Sequence, residues 1–317
     1  MSLKRERILK IEDNGTLISM DNKSRIERIE QLLVMAMNSE SEARTLAITD
    51  QILELDPNQV EALIIKADHT NNDESKRVEL LEHALRSLKK LPYPDDEKQT
   101  LEMLIYKRLQ LILYSLGKYD EALNACMKIL EAPEELYNEL EEDGGTKRLY
   151  YRLLIERHEW QRILAETMQD SEHSPAWAYA RLSAAFMLAP VAKRNKICAS
   201  MFWDALILSP EIPFYMLGYN PEPGDNESPE VYSAFNFAII YYDILSISDD
   251  FRDFFTRGVI LFGLLSNRFD GREREYMLDV LDALGGYEEY EKMSRILLEN
   301  DDRAIIEALA AHKCLSE

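Results

Sequence analysis

From Ser24 onward, apolar residues recur at the spacing of an α-helix. Ile26, Ile29, Leu33 and Met37 fall at i, i+3, i+7 and i+11, and similar stripes continue to about residue 311. This spacing brings apolar side chains onto one face of a helix. Gly and Pro residues interrupt the stripes every 12–20 residues or so, as they do between helices. The pattern therefore predicts many helices without strands between them.

Three helix starts are marked by capping residues. Ser174 precedes Pro175, and Ser228 precedes Pro229. Serine accepts hydrogen bonds from the first turn of a helix, and proline fits the first helical position because its missing N–H is not needed there. Ser248 with Asp249-Asp250 predicts a third start, with acidic side chains at the helix N-terminus. We prefer this interpretation of the two aspartates to a catalytic carboxylate pair.

Residues 1–23 are predicted to precede the helical region. Within residues 8–20, the pair Asn14-Gly15 joins two short β-prone flanks and could form a hairpin turn. The alternative is a loose arm, because an isolated two-stranded hairpin is only marginally stable.

One segment of the helical region resembles the tetratricopeptide repeat. Its residues are Leu116-Gly117-Lys118-Tyr119-Asp120-Glu121-Ala122, then Cys126, Ile129-Leu130 and Pro133, preceded by Tyr106, Leu109 and Leu113. In that family a helix ends at Gly, an aromatic side chain packs the turn, and Ala lets the next helix approach closely. The sequence departs from the family at Gln110, where Gly is frequent. Further copies are centred on Ile52, Ala84, Trp160 and Gly285-Gly286-Tyr287.

A second segment, about residues 198–245, resembles helical-repeat proteins related to the suppressor-of-tumorigenicity family. The resemblance is carried by Ser209-Pro210, Ile212-Pro213, Tyr215, Leu217-Gly218, Pro221, Pro223 and Pro229. Both resemblances imply an all-α, right-handed superhelical solenoid of antiparallel helix pairs. We expect it to form a single domain over residues 24–313, with a loop excursion at 218–229.

The charge balance narrows the range of ligands. The chain of 317 residues carries 37 Lys and Arg against 58 Asp and Glu, a net charge of −21. Nucleic-acid binding needs a basic face, so no nucleic-acid partner is expected. The glycines form no phosphate-binding loop, and the histidines lack the spacing of metal ligands. The sequence therefore predicts no cofactor, no metal and no enzymatic activity.

Cysteine usage and hydropathy bear on location. Cys126, Cys198 and Cys314 are odd in number and form no Cys-x-x-Cys pair, which favours a reducing compartment. The longest apolar run, Val259 to Leu265, is far shorter than the roughly 20 residues of a membrane span. We expect a cytoplasmic protein without a membrane partner, and a core that includes the aromatic residues Tyr150, Tyr151, Trp177, Trp203, Tyr241 and Tyr242.

The repeat register predicts a partner-binding groove. In this architecture three positions of each first helix, at i, i+4 and i+7, share the concave face. These positions are Ala62, Lys66 and His69 in one repeat, Lys107, Leu111 and Tyr114 in the next, and Arg148, Arg152 and Ile155 in the one after. Their cations could receive an acidic segment or a chain-terminal carboxylate. The alternative is that Lys66, Lys107, Arg148 and Arg152 are solvated helix residues that neutralise neighbouring glutamates.

A concave helical-repeat surface usually binds proteins or peptides, so a non-enzymatic scaffold or adaptor is the leading hypothesis. The groove residues would be Lys66, His69, Lys107, Tyr114, Arg148 and Arg152. An alternative is a regulatory sensor that changes its curvature when it binds a peptide. A third is an enzyme with scattered catalytic residues. The acidic segment 131–143 and the loop 218–229 are further possible contact sites.

Overall fold

The structure is a computed structural model that describes residues 20–70, 73–140, 145–169, 173–297 and 301–316. Over these ranges the chain is all-α, as predicted, with helices joined by short turns and loops and no β-strand. The predicted hairpin at residues 8–20 lies almost wholly outside the described residues. Among the helices that are described, none is both long enough and apolar enough to cross a bilayer.

The chain divides into two compact units, Met1–Arg108 and Leu109–Glu317. Each unit is described separately below, and the single repeat domain over residues 24–313 stays a prediction. The boundary falls inside a long helix, α5. The helices of the first unit are α1 Met20–Met37, α2 Glu42–Leu55, α3 Val60–Asp68, α4 Glu74–Leu88 and the first part of α5 Asp95–Ser115.

In the first unit each helix packs on the next: α1 on α2, α2 on α3 and α3 on α4. The face of α1 that enters the core consists of Ile29, Leu32, Leu33 and Ala36. Of the four residues predicted for the apolar stripe, Ile29 and Leu33 are buried but Ile26 and Met37 are exposed, so the stripe was partly wrong. Helix α1 nevertheless has the i, i+3, i+4, i+7 pattern of an amphipathic helix.

The second unit contains the rest of α5 and twelve further α-helices among the described residues. They are α6 Tyr119–Leu130, α7 Glu134–Leu140, α8 Gly145–Glu156, α9 Trp160–Gln169, α10 Pro175–Leu188, α11 Arg194–Leu208, α12 Ile212–Met216, α13 Pro229–Tyr241, α14 Asp249–Leu265, α15 Gly271–Ala283, α16 Tyr287–Ile296 and α17 Asp302–Ala311. Two 3-10 helices, Val191–Lys193 and Tyr242–Ser246, precede α11 and follow α13.

Helices α6 and α8 to α11 pack on one another. Helix α8 contacts α6, α9 and α10, and α10 contacts α9 and α11. Helix α14 then packs on α11, α15, α16 and α17. Helix α10 is buried nearly all round, from Ala176 to Phe186, so it forms the centre of this unit. A helix of this kind needs neighbours on every side.

Among the described residues of the second unit, six helices end in the same turn. The residue two positions past the helix has positive φ, and the N–H of the next residue donates to the carbonyl five residues earlier, as in a Schellman motif. The residues with positive φ are Gly117, His158, Gly218, Asn267, Gly285 and Lys313. The predicted turns at Gly117 and Gly285 therefore have the same geometry. In four of the six turns an aromatic residue follows two positions later, at Tyr119, Trp160, Phe269 and Tyr287.

Residues that follow α17 pack against α11 and α14. The indole N–H of Trp203 donates to the carbonyl of Cys314 at 3.2 Å, and Leu315 is fully buried. On α14, a Cβ added to Gly258 would lie 2.5 Å from the Phe202 ring and 2.8 Å from Leu315. Glycine is therefore needed at this crossing, because any side chain would overlap its neighbours.

The three predicted helix starts are confirmed. The hydroxyls of Ser174, Ser228 and Ser248 accept from the backbone N–H three residues later, and α10, α13 and α14 begin at the next residue. Residues 218–228 contain no helix, and α13 begins at Pro229, the last residue of the predicted loop excursion 218–229.

Candidate functional site

The six predicted groove residues are divided between the two units. Lys66, His69 and Lys107 belong to the first unit, whereas Tyr114, Arg148 and Arg152 belong to the second. The three residues of the second unit lie close to one segment of the chain, α13 with the 3-10 helix after it. We call this segment, residues 229–246, the cover segment.

Arg152, on α8, is only 3% exposed, and each of its three guanidinium nitrogens lies close to an acceptor oxygen. Its Nε donates to the carbonyl of Ile240 and to Asp243 Oδ1, each at 3.1 Å. A second guanidinium nitrogen contacts Asp243 Oδ2, and the third lies 2.8 Å from Glu156 Oε2. A buried charge is tolerated when it is paired and hydrogen-bonded in this way. Arg152 therefore fixes α8 to the cover segment.

The pKa of the Arg152 guanidinium reflects the same balance. Burial alone lowers this pKa, but Asp243, with smaller contributions from Tyr114 and Glu156, outweighs burial and raises the pKa above its ordinary value. The charges of Arg152 and Asp243 also act on Tyr114, on α5. Burial raises the pKa of its hydroxyl, the charge of Arg152 opposes that rise, and the charge of Asp243 adds to it.

Arg148, one turn before Arg152, also faces the cover segment. Its guanidinium carbon lies 5.8 Å from the centroid of the Phe237 ring, within the range of a cation–π contact. The hydroxyl of Tyr241 donates to the carbonyl of Arg148 at 3.0 Å. Phe237 also packs on Tyr179 of α10, with ring centroids 5.5 Å apart. The cover segment thus contacts both α8 and α10.

The buried face of the cover segment has helical spacing. Ala234, Phe237, Ala238 and Tyr241 are buried at i, i+3, i+4 and i+7. On the other side, Ile239 and Tyr242 are 53% and 58% exposed. The prediction that Tyr242 belongs to the core was therefore wrong. It follows Tyr241 directly, so the turn of the backbone directs it away from α8.

The alternative interpretation of Arg152, as a solvated helix residue, is contradicted by its burial. A charge reversal at Arg152 is consequently expected to disturb the fold, because it would place a carboxylate beside Asp243. Arg148 is half-buried, and Ile155 beside it on α8 is fully buried. The α8 part of the predicted groove is therefore covered by the chain itself.

In the first unit the predicted cation Lys66 is paired. Its Nζ lies 2.5 Å from Asp50 Oδ1, which joins α3 to α2. His69 caps the C-terminus of α3, with its backbone N–H donating to the carbonyl of Ile65. Lys107 and His69 are half-buried, and Ala62 is fully buried. The contact of Lys66, His69 and Lys107 with a partner stays a prediction.

A second polar cluster joins α8 to α9. The hydroxyl of Tyr150 donates to Glu166 at 2.8 Å, and Arg162 donates to Tyr150 and Glu166 at 2.8 Å each. Burial and the Glu166 carboxylate raise the pKa of Tyr150 above its ordinary value. Every group of this cluster has a partner within the unit, so the cluster holds the two helices together.

Sequence reasoning did not identify the residues that face Arg152. The missed residues are Asp243, Glu156 and the Ile240 carbonyl. The amphipathic spacing of α13 could have shown that this helix buries one face, but not which helix it buries that face against. The contact joins residues 91 positions apart.

No group of three or more His, Cys, Asp or Glu in the described ranges is arranged to hold a metal ion. The chain has no match among protein-family models, curated proteins or solved structures. The candidate site is accordingly defined by its geometry alone: a basic, aromatic-lined helix face that contacts a helical segment.

Proposed function

We propose that this chain is a non-enzymatic scaffold or adaptor that binds a protein or peptide through the concave face of a tetratricopeptide-like superhelix. The packing of α8 on both α9 and α10, and of α10 on α11, is the order expected when antiparallel helix pairs stack. The repeated Schellman turns, several followed by an aromatic residue, support the same assignment.

The observation that carries the proposal is the contact between α8 and the cover segment. The face of α8 that the register assigns to the groove binds a helix within the chain, through an ion pair, a cation–π contact and a backbone hydrogen bond. A partner helix with an acidic residue and an aromatic ring could pair with Arg152 and form a cation–π contact with Arg148 in the same way. Acidic segments are therefore the partner chemistry that we assign to the groove.

The second candidate function, a peptide-responsive sensor, is favoured by the same contact. Because the chain's own segment covers α8, a partner that binds there has to displace it, and displacement changes the packing of α13. A ligand shifts such an equilibrium only by the difference between its affinities for the two states. The sensor therefore differs from the scaffold in coupling this displacement to a change in the curvature of the chain.

Affinity purification from the native cell, followed by mass spectrometry, tests the proposal. Leu111 lies on the predicted groove face three residues before Tyr114 and is 53% exposed, so Leu111→Glu alters that surface without removing a core residue. We expect this variant to lose at least tenfold of the partner retained by the wild type. Met168→Glu, at a residue that is 77% exposed on α9, is the matched control and should retain the partner. Equal retention by both variants would reject the groove as the binding surface.

A further inference from the structure

The cover segment has the anchor residues of an amphipathic helix that binds in a groove. Its buried face consists of Ala234, Phe237, Ala238 and Tyr241, of which Phe237 contacts α8 and α10 and Tyr241 contacts α8. Helix α13 also packs on α12, and the 3-10 helix packs on α14. Two residues after Tyr241 the segment supplies a carboxylate, that of Asp243, to the buried guanidinium of Arg152. An amphipathic helix that docks into a groove has such anchors at i, i+3 or i+4, and i+7.

The connections of the segment allow it to act as a tethered element. It is preceded by residues 218–228, which form no helix and contain Pro221, Pro223 and Gly224. Its contacts with α8 are polar as well as apolar, and a helix with the same groups could replace each of them. The outer face, with Ile239 and Tyr242, is exposed.

We infer that the cover segment is an internal ligand of the α8–α10 face, and that the partner of this face is an acidic amphipathic helix that displaces it. The inference rests on the proposed function and specifies its partner. The partner carries small and aromatic residues on one face, with an aromatic ring for Arg148, and a carboxylate two residues beyond the last anchor for Arg152.

Competition between a tethered segment and an external one has a measurable consequence. When the binding-competent state is only a fraction of the molecules, the apparent dissociation constant is the intrinsic constant divided by that fraction. A change that weakens the internal contact tenfold therefore tightens external binding about tenfold.

Native-state hydrogen exchange of the full wild-type chain is the first test. We expect the amides of residues 231–245 to exchange at least tenfold faster than those of α10 and α14, with a weaker dependence on denaturant. This is the behaviour of an opening that exposes the buried face of the segment but less surface than complete unfolding. If the three regions share one exchange rate and one denaturant dependence, the segment is an integral part of the core and the inference is overturned.

The second test supplies the segment in trans. Residues 228–247, fused to a fluorescent protein, are titrated against the full chain carrying Asp243→Asn, with Asp253→Asn, at an exposed side chain of α14, as the matched control. We expect the fusion to bind the Asp243→Asn chain about tenfold more tightly than the control chain. A fusion carrying Phe237→Ala and Asp243→Asn should bind at least tenfold more weakly than the unmodified fusion.

The outcomes separate this inference from the proposed function. Equal binding of the fusion to the two chains, or equal binding of the two fusions, rejects the internal-ligand inference. Neither result bears on whether Leu111→Glu loses the native partner, because that experiment does not involve the fused segment. If the Asp243→Asn chain does not fold, hydrogen exchange of the wild type still decides.

Discussion

Arg152 on α8 and Asp243 on the 3-10 helix after α13 form an ion pair across 91 residues of sequence. The arginine is almost completely buried, and the aspartate side chain is 39% exposed. The pair thus joins two parts of the second unit at its margin, with one charge inside and the other in contact with solvent. Its energetic contribution depends mainly on the buried partner.

Replacing Asp243 by Asn should destabilise the chain by about 1–3 kcal/mol. Breaking a buried pair costs about 3–5 kcal/mol, because the remaining charge is left uncompensated, but solvent access at Asp243 reduces this figure. Glu156 also continues to face Arg152. Urea unfolding measures the change. Asp253→Asn, at an exposed side chain 4.0 Å from Arg252, should stay within about 0.5 kcal/mol of the wild type, and a similar loss in both variants would contradict the prediction.

Gly117→Ala should destabilise the chain by about 1–2 kcal/mol. Gly117 has φ of +70°, a region that L-residues enter only with strain, although an added Cβ would meet nothing within 4 Å. The loss is therefore conformational rather than steric. Gly224→Ala is the control, because its Cβ also meets nothing and its φ is not positive in this way. Unchanged thermal unfolding of Gly117→Ala would show that the turn is not held in this conformation.

Gly258→Ala should loosen the packing of the residues that follow α17. The new methyl group would overlap the Phe202 ring and Leu315, and such overpacking costs about 1–3 kcal/mol. We expect Cys314, buried beside Leu315, to react faster with a thiol reagent in the variant than in the wild type. Cys126, on α6, provides an internal reference, and an equal acceleration at both cysteines would indicate general unfolding instead.

Stability should fall between pH 9 and 11 because of two buried thiols. Burial raises the pKa of Cys198 to about 12, and burial with the charge of Glu289 raises that of Cys314 to about 11. In the unfolded chain these thiols ionise near pH 8.5, so the native state holds protons that the unfolded state has lost. The free energy of unfolding then decreases as pH rises, by up to about 1.4 kcal/mol per pH unit for each thiol. The contribution is fully present below about pH 8.

Denaturant unfolding at pH 8, 9 and 10 measures this slope. The double variant Cys198→Ala with Cys314→Ala is less stable at every pH because it loses buried atoms, but its stability should fall less steeply with pH. Tyrosine and lysine titrate in the same range and contribute to both proteins alike. Identical slopes in the wild type and the double variant would rule out these thiols as the cause.

Much of the local structure could be predicted, because its signals lie close together in the sequence. The capped starts of α10, α13 and α14 each depend on a Ser and the few residues after it. The turns at Gly117 and Gly285 were visible because glycine favours positive φ. The same turn at His158 or Asn267 was not predicted, because Asn and His enter this region more often than most residues with a Cβ but usually adopt other conformations.

Gln110 shows why distant contacts escaped prediction. The sequence departs from the family at this position, where Gly is frequent, and the buried amide of Gln110 accepts from the Cys126 thiol at 3.2 Å and donates to the Thr146 hydroxyl at 2.9 Å. Each partner is polar and ordinary in its own helix. Only the packing of α6 and α8 brings the three together, as it also brings Asp243 to Arg152.

The burial of Leu315 against α11 and α14 has a consequence for synthesis. These helices are complete at residue 265, but the residue that closes their shared surface comes 50 positions later. At about 5–20 residues per second, the ribosome needs roughly 3–10 s to make that stretch. During this interval the surface of α14 around Gly258 lacks its contact with Leu315.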